Sequence, residues 1–151
     1  MQDSLKPVYD YLSAQCARRE YCVSDIKAKA VKRLEGNEQA ALEVVNKLVE
    51  EGFLSDQRFS IAFARDKSSL GGWGPLKIRN ALYMKGIPQK VIEAALAEID
   101  PQKASSVLSR LLQNKWRTLK DDPQGKLKLI RFALSRGYQY DDIKKEIDSF
   151  L

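Results

Sequence analysis

Histidine, the side chain that most often moves protons near neutral pH, is absent from this 151-residue chain. The two cysteines, Cys16 and Cys22, are too few for a disulfide framework, and a zinc site needs four ligands. They read as buried free thiols. Two acidic pairs, Asp121-Asp122 and Asp141-Asp142, could suggest metal binding or acid–base work. Each precedes or enters the first turn of a helical pattern, where carboxylates cap free N–H groups and meet the positive end of the dipole. Capping is the simpler reading. "LGGWG", residues 70–74, is glycine-rich but lacks the "GK[ST]" ending and preceding strand of a phosphate loop. The chain therefore offers no catalytic residues, and we expect no enzyme, no metal and no cofactor.

The elements that must carry the remaining side chains read as helices throughout. Pro75, Pro101 and Pro123 each follow a capping residue (Gly74, Asp100, Asp122), which places proline at a first helical position. Gly36, Gly52, Gly86 and Gly137 follow periodic apolar segments, where a left-handed residue closes a helix. Between these marks the apolar spacing is helical: Leu42, Val45 and Val49, or Val107, Leu108, Leu111 and Leu112. No alternating strand pattern stands out. The expected helices are 5–19, 24–35, 38–51, 56–70, 75–85, 88–98, 101–117, 123–136 and 140–150.

Aligning "GPLKIRNALYMKGIPQKVIEAAL" with "GKLKLIRFALSRGYQYDDIKKEI" on Gly86 and Gly137 superposes Leu76 with Leu127, Ile78 with Leu129 and Ile92 with Ile143. The N-terminal third keeps the same order of helices with a weaker apolar match. The fold class is therefore all-α, an elongated array of three tandem three-helix modules, at 1–54, 55–99 and 100–151. Units this small bury little surface alone and lean on their neighbours.

Lys and Arg total 26 against 20 Asp and Glu, a net charge of +6, with a pI near 9.3. The first module carries 8 basic and 9 acidic residues, the second 7 and 4, the third 11 and 7, so the excess lies in the middle and end. Such a balance suits a polyanion or an acidic protein surface. The N-terminus "MQDSLKPVYD" has no basic head or apolar core of an export signal, and no apolar run approaches the roughly 20 residues that span a bilayer. The reading is a cytoplasmic protein.

Residues 74–98 have the form of a helix-turn-helix, but the second helix, "PQKVIEAALAEI", offers Gln89, Lys90, two glutamates and alanines, a poor set for reading base edges. The cations lie on the helices before it. Arg58 and Arg65 share one helix face, with Lys67 close by; Lys77 and Arg79 flank Ile78, and Lys85 ends that helix. Only Asp66 interrupts this basic run before Glu93. A second group, Lys27, Lys29, Lys32 and Arg33, is followed by Glu35, Glu38 and Glu43, which could pair with it. In the last module Lys126, Lys128, Arg131 and Arg136 spread along one helix, and Lys115 and Arg117 flank Trp116. Such distributions suit phosphate or carboxylate contact without sequence readout, or simply a solvated charged face. Trp73 reads first as an aromatic anchor for its own turn, with base stacking as the other use open to it.

"LSDQRFSIAFARDK" followed by "GWGPLKIRNALYMKGIPQKVIEAAL" resembles the central signature of the RecX family, regulatory proteins that bind the RecA recombinase. Asp56, Arg58, Phe59, Phe63, Arg65, Lys67, Trp73, Gly74, Pro75, Ile78, Arg79, Leu82, Lys85, Gly86 and Ile87 fill its positions. In the closing module Arg131, Phe132, Arg136, Gly137, Tyr138 and Ile143 match, while the opening module is only loosely similar. "SSLGG" departs from the pattern, since family members often carry further basic residues there. The resemblance implies a non-enzymatic protein that lodges in the groove of the RecA–DNA filament and inhibits its ATPase, strand-exchange and coprotease activities. It also implies weak binding of single- and double-stranded DNA without sequence specificity, by a monomer. The expected filament- and DNA-binding residues are Arg58, Arg65, Lys67, Trp73, Lys77, Arg79, Lys85, Lys126, Lys128 and Arg131. A free-standing, nonspecific helical DNA-binding protein is the alternative.

Overall fold

Polar caps and prolines set where the helices begin. Asn37, Ser55 and Asp100 each accept a backbone N–H of the turn they open, from Ala40, Arg58 and Gln102, and Pro75 and Pro101 stand at first helical positions. In the computed structural model, which describes residues 1–151, a 3-10 turn at Asp3–Leu5 leads into nine α-helices. These are α1 (Lys6–Arg18), α2 (Val23–Arg33), α3 (Glu38–Glu50), α4 (Asp56–Ser69), α5 (Pro75–Met84), α6 (Gln89–Ala97), α7 (Pro101–Leu119), α8 (Gly125–Ser135) and α9 (Tyr140–Phe150). There is no strand. No helix is long and apolar enough to cross a membrane. Gly36, Gly52, Gly86 and Gly137, expected as left-handed closures, have φ of 87°, 81°, 77° and 93°.

The main departure is at Pro123, expected as the first residue of a helix. α7 runs on to Leu119, the chain turns through Asp122–Gln124, and α8 begins at Gly125. Asp122 Oδ1 accepts the Gln124 N–H at 2.8 Å within that turn. The delay has a packing cause: Gly125 is buried against the Leu119 carbonyl, so closely that a Cβ would collide with it. Of the acidic pairs, Asp122 makes the capping-type bond, while Asp141 and Asp142 occupy the first turn of α9 without one.

Apolar side chains collect in three clusters. The first joins Leu12, Ile26, Val44 and Leu48 from α1–α3 with Leu54; the second centres on Phe59, Ile78, Leu82 and Ile92; the third on Leu108, Leu112, Leu129, Ile143 and Ile147. The fold is all-α, built of three-helix modules in tandem. Cys22, at the end of the α1–α2 turn, is fully buried in the second cluster, not the first. Both cysteines are buried free thiols, and burial raises both thiol pKa values. Two expected stripe positions, Leu42 and Val49, are exposed, because the buried face of α3 runs through Ala41, Val44, Val45 and Leu48.

Candidate functional site: the joints and the cations around them

Small modules must lean on each other, and here they do so by the same device twice. The turn between the first and second helices of one module sits on the turn between the second and third helices of the next. At the first joint, Ser24 Oγ donates to the Lys85 carbonyl at 2.7 Å and Lys85 Nζ lies 3.0 Å from Asp25 Oδ2. Asp56 Oδ1 accepts the Val23 N–H at 2.8 Å. Val23 opens α2, whose own cap residue Cys22 supplies no side-chain bond, so a carboxylate from α4 caps α2 across the joint. Arg58 Nε reaches Glu20 at 2.9 Å and its Nη2 donates to the Gly52 carbonyl at 2.8 Å.

At the second joint the contact is backbone to backbone. Gly74 N–H donates to the Arg136 carbonyl at 2.7 Å, and Leu76 N–H to the Gly137 carbonyl at 2.9 Å. The Tyr138 hydroxyl, itself buried, donates to the Gly72 carbonyl at 3.1 Å, and burial raises its pKa. Gly72 (φ 68°) abuts Leu111 of α7. The glycines of "LGGWG" thus bring two turns together at distances a side chain would prevent.

This geometry divides the ten candidate residues. Four of the cations hold carboxylates: Arg58 with Glu20, Lys85 with Asp25, Lys128 with Asp122 at 2.6 Å, and Arg79 with both oxygens of Glu93 at 2.8 and 3.0 Å. The hydrogen bonds from Arg79 pull the Glu93 pKa down, and those from Lys128 and the Gln124 N–H do the same for Asp122. For Asp25 burial acts against the charged form, but the bonds from Lys85 and Cys22 and the charges of Lys85 and Arg19 outweigh it, and its pKa is lowered. The run of sequence from Arg58 to Glu93 looked nearly free of counter-charges. The tertiary fold supplies Glu20 and Asp25 from the α1–α2 region and turns Glu93 back onto α5. These pairs are exposed enough to add little stability individually; they fix register between elements.

Arg65, Lys67, Lys77, Lys126 and Arg131 have no carboxylate partner. Two of them flank Trp73. The ammonium groups of Lys67 and Lys77 stand 4.7 and 4.5 Å from its ring centroid, and its edge meets Phe63 with centroids 6.1 Å apart. Half-buried, Trp73 packs against the second cluster, as an anchor should. Beyond the second joint, Lys115 and Arg136 lie 5.2 and 5.1 Å from the Phe132 centroid, also without carboxylates. Both were visible as basic residues but not as members of this group. The docking of Gly74 on Arg136, and of Gly72 on Leu111 of α7, ties the elements that carry them to the turn that carries Trp73. A cleft of about 590 Å3 at the first joint, lined by Phe59 and Phe63, by Arg19 and Lys67 and by the carboxylates of Glu20, Asp25 and Asp66, shares Lys67 with this surface but is of mixed charge.

Fold and site define a class: a helical repeat protein whose joints are locked by turn-on-turn docking and whose unpaired cations gather beside aromatic rings. The family models match in the same terms. That of the RecX second three-helix domain matches residues 55–96, and that of the RecX third three-helix domain residues 106–147. The chain is 37% identical over 112 residues to the regulatory protein RecX of Clostridium botulinum (strain Eklund 17B / Type B), an alignment covering 72% of this chain and 52% of that protein. It is 28% identical over 154 residues to that of Escherichia coli (strain SMS-3-5 / SECEC), covering 93% and 92%. The chain spans about half the length of several curated relatives it matches. The crystal structure of RecX from Lactobacillus salivarius superposes with a TM-score of 0.85 at 20% identity, over 99% of this chain and 97% of that one, and shares the fold. The chain belongs to the RecX family, a family of regulatory proteins.

Proposed function

We propose that this protein is a non-enzymatic, cytoplasmic negative regulator of the RecA recombinase. As a monomer it lodges in the groove of the RecA–DNA filament and inhibits its ATPase, strand-exchange and coprotease activities. The modules 1–54, 55–99 and 100–151 act as one rod, so that modest contacts to several filament subunits add by avidity. Contact with single- or double-stranded DNA is weak and independent of sequence, because cations reach phosphates while α6 offers no base-reading set.

The observation that carries this reading is that Lys67 and Lys77 on one side of the second joint, over Trp73, and Lys115 and Arg136 on the other, over Phe132, have no carboxylate partners. The tied cations Arg58, Arg79 and Lys85 serve to position that surface, and Arg65, Lys126 and Arg131 extend it.

Titration into the single-stranded-DNA-dependent ATPase assay of RecA tests the proposal. Inhibition that saturates is expected. Full ATPase activity at saturating protein, with no binding to the filament, overturns it; DNA binding alone in that result would leave the free-standing DNA-binding alternative.

A further inference from the structure

The middle helices of the second and third modules share an exposed feature that the cationic surface does not account for. Leu76 and Tyr83 of α5 are 43% and 69% exposed, and Leu127 and Leu134 of α8 are 45% and 44% exposed. Leu76 aligns with Leu127 and Tyr83 with Leu134 in the alignment on Gly86 and Gly137. Each pair is seven residues apart and so stacks along one helix face, with Asn80 or Arg131 between. The superposed leucines thus belong to no core. The apolar positions repeated in the cores are Ile78 with Leu129 and Ile92 with Ile143, all at most 2% exposed.

The surroundings repeat in part: neither α5 nor α8 contains an acidic residue, and Lys77 aligns with Lys128, although Lys128 is held by Asp122 and Lys77 is unpaired. Beside Leu76 and Tyr83 a groove of about 500 Å3, walled by Ile87, Pro88 and Ile92, is wide enough for a partner's side chain. With the buried Ile26 and Ala30 of α2 set against Ile78 and Leu82, the corresponding positions of α2 are Ser24 and half-buried Val31, and α2 carries Asp25, so the first module lacks the feature.

We propose that these two helix faces are twin docking sites for successive identical subunits of an acidic protein polymer, which on the reading above is the recombinase filament. Two features support that occupant over others. An exposed apolar pair, leucine with tyrosine on α5 and leucine with leucine on α8, stands at equivalent helix positions of two modules joined by the second joint, which suits a partner that presents similar recesses at a fixed spacing, as a polymer of identical subunits does. Arg79 and Lys128 are tied to Glu93 and Asp122, but Lys77 beside Leu76 and Arg131 between Leu127 and Leu134 have no carboxylate partner and complement an acidic rim. Leucine and tyrosine pairs of this kind match a protein recess better than a phosphodiester chain.

The test uses the full chain with Leu76→Ala/Tyr83→Ala, Leu127→Ala/Leu134→Ala, and all four together. Alanine favours helix at exposed positions, and circular dichroism and melting confirm the fold. Binding is measured to RecA filaments assembled on single-stranded DNA and, separately, to that DNA alone. Each double variant is expected to weaken filament binding about tenfold and the fourfold variant about a hundredfold, with DNA binding and its salt dependence unchanged. Wild-type binding to the filament, matched by the fourfold variant, overturns the docking sites and leaves the regulatory reading standing. Loss confined to one helix overturns the twin arrangement, and a parallel loss of binding to DNA alone makes the face a nucleic-acid surface instead. A wild-type dimer dissolved by the substitutions makes the occupant a second copy and overturns the proposal. If the wild type fails to bind the filament, both readings fall.

Discussion

Gly74 and Gly137 meet backbone to backbone: a Cβ placed on Gly74 would stand 2.5 Å from the carbonyl carbon and oxygen of Gly137. The second joint therefore depends on a missing side chain, and it fixes how the basic faces of α5 and α8 are presented. Gly74→Ala should cost about 1–3 kcal/mol by forced separation of the turns. Gly86→Ala, where nothing lies within 4 Å, should cost only about 1 kcal/mol from its left-handed backbone. Urea unfolding of the two variants decides; equal losses would show that the joint is not closely packed.

Carboxylate partners should separate structural cations from ligand-binding ones. Charge reversal at Lys77 and Lys67 should weaken DNA and filament binding. It should also flatten the salt dependence on single strands by about 0.7 for each phosphate no longer neutralised. Arg79→Ala should instead strand Glu93 and leave the slope unchanged. Binding isotherms between low and physiological salt check both, and an equal effect of all three would remove the distinction.

Trp73 should report on that surface. With Trp116→Phe in the background, its fluorescence arises from a ring flanked by the Lys67 and Lys77 ammonium groups. Single-stranded DNA that draws those lysines toward phosphates should change its intensity, and Lys67→Met/Lys77→Met should abolish the response. An unaltered spectrum at saturating DNA would place the contact elsewhere.

Acid should loosen the first joint. The Asp25 pKa is lowered in the folded protein, so its ionised form is favoured by folding. That contribution is fully present above the ordinary carboxylate value of about 3.9 and is lost as pH falls through the lower folded-state value. The stability difference between wild type and Asp25→Asn should therefore be constant from pH 7 to about 5 and shrink below about 4. Melting curves across that range measure it. A difference that grows toward acid would contradict the sign.

Asp56 should matter as a cap for a helix it does not belong to. Asp56→Ala removes the only side-chain acceptor for the Val23 N–H and should cost about 0.5–2 kcal/mol. Asp56→Asn, which keeps an acceptor oxygen, should recover part of the loss in the same unfolding experiment.

The helices and their order were legible in the residues alone. Proline and cap residues, closing glycines and 3.6-residue apolar spacing act within a few residues of each other, and that local physics placed every boundary within two residues. At Pro123 it erred by two residues, because the start of α8 answers to the Leu119 carbonyl, part of a neighbouring helix. Nor could spacing tell that Leu76 and Leu127 point away from the cores that hold Ile78 and Leu129. The site was legible as a set of charges but not as a set of pairs. Whether a cation is free depends on carboxylates distant along the chain, 38 residues away for Arg58 and 60 for Lys85. It takes the folded chain to bring Glu20 and Asp25 to those two cations and to set Gly74 against Gly137. Coulombic pairing and close backbone packing depend on distance in space, and local patterning does not encode it.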